Sequence, residues 1–276
     1  MAISTFAAAQ VLRFVPRVRL SRAVGKLCEQ PLPPKLSRVA CDIYAKAFRV
    51  DLSDAEAQEG PYETFDAFFT RKLKDGAREI ADASIVSPAD GKVVAAGDIS
   101  AGTQIRVKGR EYDVAELTGV SGDRQAYAQG EYAVVYLHPR DYHRVHSPVD
   151  GRLTCVRGLP GDLFPVNAIG EQHIPRLFVR NQRLALTFET EDLGAVTVVM
   201  VGATIVGKMT VRALSSDDTP IGEFPMNPSI EVQRGDEIGT FHLGSTVVVL
   251  FERSGRVSRA TGPVFYGESL MRIDAT

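Results

Sequence analysis

Apolar residues near the start of the chain recur every three or four positions, which is the period of an amphipathic α-helix. The pattern predicts a short first helix that Ser4 or Thr5 caps and that Pro16 interrupts. Three further segments share this period: Arg17 to Glu29, Leu36 to Ala47 and Thr64 to Leu73. In each of the second and third helices an apolar stripe is flanked by Arg and Lys.

From Ile85 onward the pattern changes to short apolar or alternating runs separated by Gly, Pro and Asp, which is typical of β-strands. The predicted strands are Gly91 to Ala96, Gln104 to Val107, Ala133 to Leu137, Gly151 to Val156, Arg183 to Glu189, Ala195 to Val201, Thr204 to Met209 and Ser245 to Glu252. Strands and helices do not alternate, so we predict an α+β fold with N-terminal amphipathic helices followed by a mainly antiparallel β barrel or sandwich. The predicted division is a helical head, residues 1–60, and a β-rich domain, residues 61–276.

Charge separates the same two regions. The whole chain of 276 residues carries a net charge of -2, but residues 1–50 hold nine Lys and Arg against two Asp and Glu. A basic head on an acidic body indicates an anionic partner, either membrane lipid or nucleic acid. The apolar stripes beside the cations favour a membrane surface, because such helices can lie in the headgroup layer. The alternative is that the stripes pack on the body or on a second subunit.

Cysteine spacing and hydropathy indicate a chain in a reducing compartment that does not cross a membrane. Cys28, Cys41 and Cys155 show no CxxC spacing, so we expect neither a disulfide framework nor a zinc site. The most apolar stretch, Ala195 to Gly207, is too short and too rich in threonine to span a bilayer. The first residues lack the charged leader and long apolar centre of a signal peptide.

One Gly-Ser pair, Gly244-Ser245, stands directly before the β-branched run Thr246 to Val249. A serine is therefore presented where a turn enters a strand. Glycine before it can adopt backbone dihedrals that strain other residues, which leaves its carbonyl open to attack. A purely structural turn before a buried strand is the alternative.

Two other stretches bring reactive groups into turns. Asp90 lies in Ser87-Pro88-Ala89-Asp90-Gly91, where it either serves chemistry or forms a local Asx turn. Three of the five histidines lie in the nine residues from His138 to His146. His143 and His146 are compatible with general acid-base work, with a metal site that would need further ligands, or with plain structural roles.

Together, Asp90, His146 and Ser245 make a serine triad possible, in which the carboxylate orients the imidazole and the imidazole takes the hydroxyl proton. Their order in the chain matches none of the usual hydrolase orders, and the GxSxG elbow is missing from the sequence. The attacked carbonyl is therefore either that of an external ester or that of Gly244 itself.

Six blocks of the chain form an ordered set: Phe68 to Lys74, Ser87 to Val93, the histidine stretch around His143 and His146, Gly161 to Asn167, Val201 to Gly207 and Leu243 to Thr246. In these blocks the chain resembles the pyruvoyl-dependent phosphatidylserine decarboxylases of the bacterial and mitochondrial type, which carry a Leu-Gly-Ser-Thr cleavage motif. The resemblance covers about Phe65 to Phe251, and the head is helical as in that family. Gln182 and His242 are small departures from the family pattern.

The resemblance implies that the proenzyme cuts itself between Gly244 and Ser245. The implied products are a β chain, residues 1–244, and an α chain, residues 245–276. Ser245 would attack the Gly244 carbonyl, with His146 as the base and Asp90 holding its tautomer, and would end as a covalent pyruvoyl group. That group would form the Schiff base with the substrate amine and act as electron sink, without pyridoxal phosphate and without a metal.

The same resemblance implies that phosphatidylserine is converted to phosphatidylethanolamine and CO2, with His143 as the acid-base group of decarboxylation. It further implies a homodimer at the cytoplasmic face of the cell membrane, bound peripherally to anionic lipid and not to nucleic acid. Three alternatives stay open: a serine hydrolase that uses the same residues, a non-catalytic lipid-binding β domain, and a decarboxylase of soluble amino acids.

Overall fold

The computed structural model describes residues 16–99, 103–204, 208–252, 256–257 and 261–272. The helices in these residues are α1 Arg17–Cys28, α2 Pro34–Phe48, α3 Phe65–Phe69, α4 Val114–Thr118, α5 Asp123–Ala126, α6 Ala168–His173 and α7 Leu177–Arg180. The strands are β1 Ile85–Val86, β2 Gly91–Asp98, β3 Gln104–Val107, β4 Arg110–Asp113, β5 Glu131–Tyr136, β6 Arg144–His146, β7 Gly151–Leu159, β8 Arg183–Thr190, β9 Gly194–Val201, β10 Met209–Val211, β11 Gly222–Val232, β12 Glu237–Phe241, β13 Thr246–Phe251, β14 Arg256–Val257, β15 Gly262–Val264 and β16 Ser269–Arg272.

The main body is an eight-stranded antiparallel sheet in the order β11-β7-β8-β9-β13-β5-β2-β15. Strand β13 lies between β9 and β5, where Val248 is opposite Val199 on one side and Val134 on the other. All six residues of β13 are buried, which is why this strand is a continuous apolar run in the sequence. The α+β prediction is confirmed, and the two sheet edges at β11 and β15 favour an open, sandwich-like core over a closed barrel.

Most of the predicted strands form close to their predicted positions, including β3 with the same bounds. The predicted strand Thr204 to Met209 overlaps the observed strand β10 only at Met209. Thr204 lies in a turn and β10 begins only at Met209, while residues 205–207 lie outside the described part of the chain. The sequence does not predict β6, β10 and β12 as a unit, because each is too short to show a clear alternation.

These three short strands form a small antiparallel sheet in the order β10-β12-β6, and this sheet assembles the candidate site. Strand β6 ends at His146, whose partner on β12 is Glu237. Strand β12 ends at Phe241, and the four residues 242–245 connect it to β13. Because β6 and β12 are antiparallel, the end of β12 that leads to the Gly244-Ser245 turn lies beside His143, whereas His146 lies beside the start of β12.

Helix α3 is shorter than its prediction of Thr64 to Leu73. The Thr64 side chain caps its first turn by accepting the Ala67 N–H at 2.9 Å. After Thr70 the chain extends, and Leu73 forms a β-bridge with Ala55. The last part of the predicted helix is wrong because this pairing with the preceding linker takes the backbone groups that a helix would need.

Helices α1 and α2 lie near their predicted positions, but their apolar stripes face outward. The buried residues of α1 are Arg17, Ser21 and Gly25, while Leu27 is 69% exposed. In α2 the buried residues are Ser37 and Cys41, while Ile43 is 64% exposed. The exposed residues of these stripes therefore do not pack on the body, whereas Tyr44 of α2 does contact Phe65.

The first predicted helix, which Ser4 or Thr5 would cap, lies outside the described residues. None of the described helices combines the length and the apolar content needed to cross a bilayer.

Candidate active site

The turn between β12 and β13 carries a strained residue directly before the Gly-Ser pair. Leu243 has a φ of 101°, in the region that favours glycine. Such a conformation costs about 1–3 kcal/mol in a residue with a side chain. The sequence predicts the unusual backbone conformation at Gly244, whereas the structure has it at Leu243, which no sequence signal marks. The strain lies one residue before the peptide bond expected to break.

Ser245 is buried, and its Oγ makes no hydrogen bond within the described residues. Its carbonyl accepts the Leu137 N–H at 3.0 Å, and from Thr246 onward the chain is held in the central sheet. An unpaired buried hydroxyl is costly for stability, so such groups often mark reactive sites. Ser245 therefore has a fixed backbone and a hydroxyl free to react.

The side chain of His143 faces this segment. A Cβ atom built on Gly244 would lie 3.7 Å from His143 Nε2. His143 Nδ1 lies 2.8 Å from the Asp141 carbonyl oxygen, so Nδ1 carries the hydrogen and donates it. Nε2 is buried and has no partner among the described residues, so its lone pair is unused beside Gly244. This nitrogen can accept a proton from a group in the turn.

Burial keeps the His143 imidazole neutral. Loss of solvent lowers the pKa of His143 to about 3, and the nearby Arg71 cation acts in the same direction. The hydrogen bond to the Asp141 carbonyl opposes this shift in pKa but is the weaker effect. At neutral pH His143 is therefore uncharged.

The block Phe68 to Lys74 packs against His143. The ring centroid of Phe69 lies 4.2 Å from that of His143. Arg71 is only 6% exposed, and its Nη2 donates to the Arg140 carbonyl oxygen at 3.4 Å. This block therefore supplies an apolar wall and a buried cation beside the imidazole.

His146 has partners at both ring nitrogens. Its Nδ1 donates to the Gly235 carbonyl oxygen at 2.6 Å, so its Nε2 is the acceptor for the Tyr142 hydroxyl at 3.1 Å. Its ring stacks on Tyr266, with centroids 3.9 Å apart and planes at 3°. Burial lowers the pKa of His146, so this imidazole is also held toward its neutral form.

Asp90 is buried against a cation. Its Oδ2 pairs with Arg78 Nη2 at 2.7 Å, and its Oδ1 accepts the backbone N–H of Tyr266 at 2.8 Å. Asp90 therefore reaches His146 through Tyr266, whose backbone binds the carboxylate and whose ring covers the imidazole. In the described contacts, the chain of hydrogen bonds expected from Asp90 through His146 to Ser245 does not form.

The close approach of β2 to β5 requires a glycine at position 91, directly after Asp90. A Cβ atom at this position would lie 2.3 Å from the Tyr136 carbonyl oxygen on the adjacent strand. Glycine is needed because β2 approaches β5 closely at the point where the Asp90 turn begins.

The block Gly161 to Asn167 connects the body to the head. The Asn181 amide donates to the carbonyl oxygens of Phe164 and Gly202, each at 2.8 Å. Arg17 from α1 pairs with Asp162, and its guanidinium lies 3.9 Å from the centroid of the Phe164 ring. This contact fixes the start of α1 on the body.

Sequence reasoning did not assign roles to Arg78, Tyr142, Gly235, Leu243 or Tyr266. Tyr266 is distant in sequence from the other site residues, and no periodic pattern marks it. Among the described residues, no group of three or more His, Cys, Asp and Glu side chains is arranged to hold a metal ion. The groups present suit proton transfer and nucleophilic attack.

Residues 65–272 match the family model of phosphatidylserine decarboxylase. The chain belongs to the phosphatidylserine decarboxylase family. It is therefore a carboxy-lyase, and the matched range contains all the site residues described above.

Curated relatives of similar length carry the name phosphatidylserine decarboxylase proenzyme. That of Acinetobacter baylyi is 41% identical over 264 residues, covering 93% of this chain and 92% of the relative. That of Brevibacillus brevis is 40% identical over the same shares. That of Psychrobacter cryohalolentis is 41% identical over 252 residues, or 88% of each chain. The matches to these family members extend into the helical head.

Proposed function

We propose that this chain is a proenzyme that cuts itself between Gly244 and Ser245 and then decarboxylates phosphatidylserine to phosphatidylethanolamine. The observation that carries the proposal is the Gly-Ser turn itself. In a member of this family, an unpartnered Ser245 Oγ follows a strained Leu243, and Gly244 between them lies beside the unpartnered Nε2 of His143.

The proposed cleavage starts with attack of Ser245 Oγ on the Gly244 carbonyl carbon, while an imidazole takes the hydroxyl proton. The C–N bond then breaks, so that an ester replaces the amide and the proton passes to the released amine. β-Elimination leaves Gly244 with a free carboxylate and converts residue 245 to dehydroalanine. Tautomerisation to an imine and hydrolysis by water release ammonia and leave a pyruvoyl group.

We assign Asp90, His146 and Ser245 to the cleavage step, as the family resemblance implies. The neutral tautomer of His146 supports a role as base, because Nδ1 is committed to Gly235 and only Nε2 can receive a proton. His143 is a second candidate for the base, which its position 3.7 Å from the site of a Gly244 Cβ supports. Variants of the two histidines separate these roles.

The pyruvoyl group would supply the electron sink for the carbanion that CO2 leaves behind. Residue 245 suits such a group because it is buried at the start of β13, with its backbone fixed. We propose that His143 moves the proton of this step at Nε2, because its Nδ1 is committed to Asp141. An anionic substrate beside His143 would raise its pKa and so prepare it to act as an acid.

The outward-facing stripes of α1 and α2 support a peripheral site on the cytoplasmic face of the cell membrane. Residues 1–60 are the proposed membrane-associating head and residues 61–276 the proposed catalytic domain. A substrate with two acyl chains resists transfer to water by about 0.8 kcal/mol per CH2, so an enzyme at the surface avoids extracting it. We further propose that the β and α chains stay together and form a homodimer.

The test is decarboxylation of phosphatidylserine in anionic vesicles by the purified full chain, with Ser245→Ala as the control. We expect CO2 release from the lipid, none above background with Ser245→Ala, and at least a hundredfold lower rate on free serine. Equal rates on free serine would contradict the lipid substrate. Equal rates with Ser245→Ala would contradict the proposed chemistry.

A further inference from the structure

His242, two residues before the Gly244-Ser245 peptide bond, is held at both ring nitrogens. Its Nδ1 lies 2.8 Å from Asp66 Oδ1 and 3.0 Å from Asp66 Oδ2, so Nδ1 carries the hydrogen and donates to the carboxylate. Its Nε2 lies 3.2 Å from Thr210 Oγ1. The mechanism proposed above gives this side chain no task.

The backbone on either side of the strained turn is also fixed. The His242 N–H donates to the Lys208 carbonyl oxygen at 3.0 Å. On the far side, Ser245 accepts the Leu137 N–H at 3.0 Å. Leu243 and Gly244 therefore bridge two fixed points, and the φ of 101° falls on the first residue of that bridge.

A residue stays in such a conformation only when its surroundings fix it. Release of the His242 side chain would let Leu243 relax to a negative φ, and the Gly244 peptide would rotate with it. The Gly244 carbonyl would then no longer be presented to Ser245 Oγ, and misplacement by about 1 Å can slow a reaction a hundredfold.

We infer that His242 is a positioning residue for self-cleavage, which with Asp66 and Thr210 holds the Leu243-Gly244 segment in its reactive conformation. The inference rests on the proposed function. His242 does not touch the reacting atoms in this role. It acts through the backbone that it fixes.

Asp66 is suited to this role because α3 is anchored elsewhere. The Thr64 cap fixes the first turn of α3, and Phe69 on the same helix packs against His143. Phe65 contacts Tyr44 of α2 with ring centroids 5.1 Å apart. Helix α3 therefore contacts three parts of the molecule: the His242 side chain, the His143 ring and helix α2 of the head.

The test follows the appearance of the fragment 245–276 after cell-free synthesis of the full chain. The variants are His242→Ala, Asp66→Ala, their double variant and His242→Asn, which keeps a donor near the position of Nδ1. The matched control is Glu29→Gln. It removes the ion pair of Glu29 with Lys208, at 2.7 Å on the same side of the turn, and leaves the His242 side chain unchanged.

We expect His242→Ala and Asp66→Ala each to slow cleavage at least tenfold, which corresponds to about 1.4 kcal/mol in the barrier. The double variant should be no slower than the slower single variant, because both changes remove one contact. His242→Asn and Glu29→Gln should stay within about threefold of the wild type. The loss in cleavage rate should be at least five times larger than any loss in decarboxylation per cut chain.

Cleavage of His242→Ala at the wild-type rate would overturn this inference alone. Equal losses in cleavage and in decarboxylation per cut chain would also overturn it, since they would indicate a general structural role. A wild-type chain that is never cut would instead overturn the proposed function, and this inference with it.

Discussion

The imidazole of His146 lies flat on the phenol ring of Tyr266, with centroids 3.9 Å apart and planes at 3°. After the proposed cut these two residues would belong to different chains, since His146 precedes Gly244 and Tyr266 follows it. The Tyr266 N–H also binds Asp90. The short α chain is therefore part of the site through Tyr266 as well as through residue 245.

Tyr266→Ala should slow self-cleavage at least tenfold, because it removes the aromatic surface that holds the ring of His146, the proposed base of that step. Tyr266→Phe keeps the ring and the backbone N–H, so it should stay within about threefold of the wild type. Aromatic pairs contribute about 0.5–1.5 kcal/mol beyond their buried area. The rate at which the fragment 245–276 appears checks this, and similar losses in both variants would show that the hydroxyl, not the stacking, matters.

The two neighbouring histidines should separate by phenotype. His146→Ala should block cleavage, whereas His143→Ala should still allow some cleavage but lose decarboxylation. The measurement is the fraction of cut chain by denaturing mass spectrometry, together with CO2 release per cut chain. If His143→Ala blocks cleavage and His146→Ala does not, then the imidazole that faces Gly244 is the base. Equal cleavage in both variants would remove the role assignment.

Acid should destabilise the uncut fold through His143. Its pKa is lowered to about 3 from an ordinary value of 6.5, so between these limits the unfolded chain binds one more proton than the folded chain. The contribution of His143 to the free energy of unfolding is fully present above pH 6.5. It falls by about 1.4 kcal/mol per pH unit as the pH drops toward 3. The lowered pKa of His146 acts in the same direction.

Urea unfolding of Ser245→Ala and of Ser245→Ala with His143→Asn, at pH 7, 6 and 5, measures this effect. The single variant should lose more stability per pH unit below pH 6.5 than the variant without the imidazole. Identical losses in the two proteins would show that His143 is not held neutral by burial.

The sequence was sufficient to predict most strands of the central sheet and to select Gly244-Ser245 as the candidate site. Strand β13 is a continuous run of β-branched and apolar residues, a composition that by itself indicates burial on both faces of the strand. Ser245 could be selected because its glycine and the following run mark a turn into that strand. The stretch from His138 to His146 could be selected because it holds three of the five histidines.

Long-range contacts account for what the sequence did not predict. Leu243 adopts its left-handed conformation because the chain is fixed on both sides of it, and leucine carries no local preference for that conformation. Asp90 binds Arg78 and Tyr266 rather than His146, a choice set by the packing of distant segments. The outward stripes of α1 and α2 have the same sequence pattern as inward ones, so only the exposure of Leu27 and Ile43 distinguishes them.

Charged residues introduced into the outward-facing stripes of α1 and α2 should weaken membrane binding. Leu27→Glu with Ile43→Glu should weaken binding to anionic vesicles at least tenfold, because two exposed apolar side chains become charged. Ile230→Glu, on the exposed edge strand β11, is the matched control and should leave binding within about twofold. Flotation with vesicles measures the bound fraction.

Unchanged flotation of the double variant would contradict a membrane role for this face. Loss of a dimer in the same variant, measured by light scattering, would assign the stripes to a second subunit instead.

The intact mass of the freshly purified full chain under denaturing conditions shows most directly whether the Gly244-Ser245 bond is cut. We predict a fragment of residues 245–276, which is 32 residues long, with a ketone in place of its amino terminus, beside a fragment that ends at Gly244. A single intact species of 30.0 kDa that decarboxylates phosphatidylserine with an ordinary serine at position 245 would contradict this prediction.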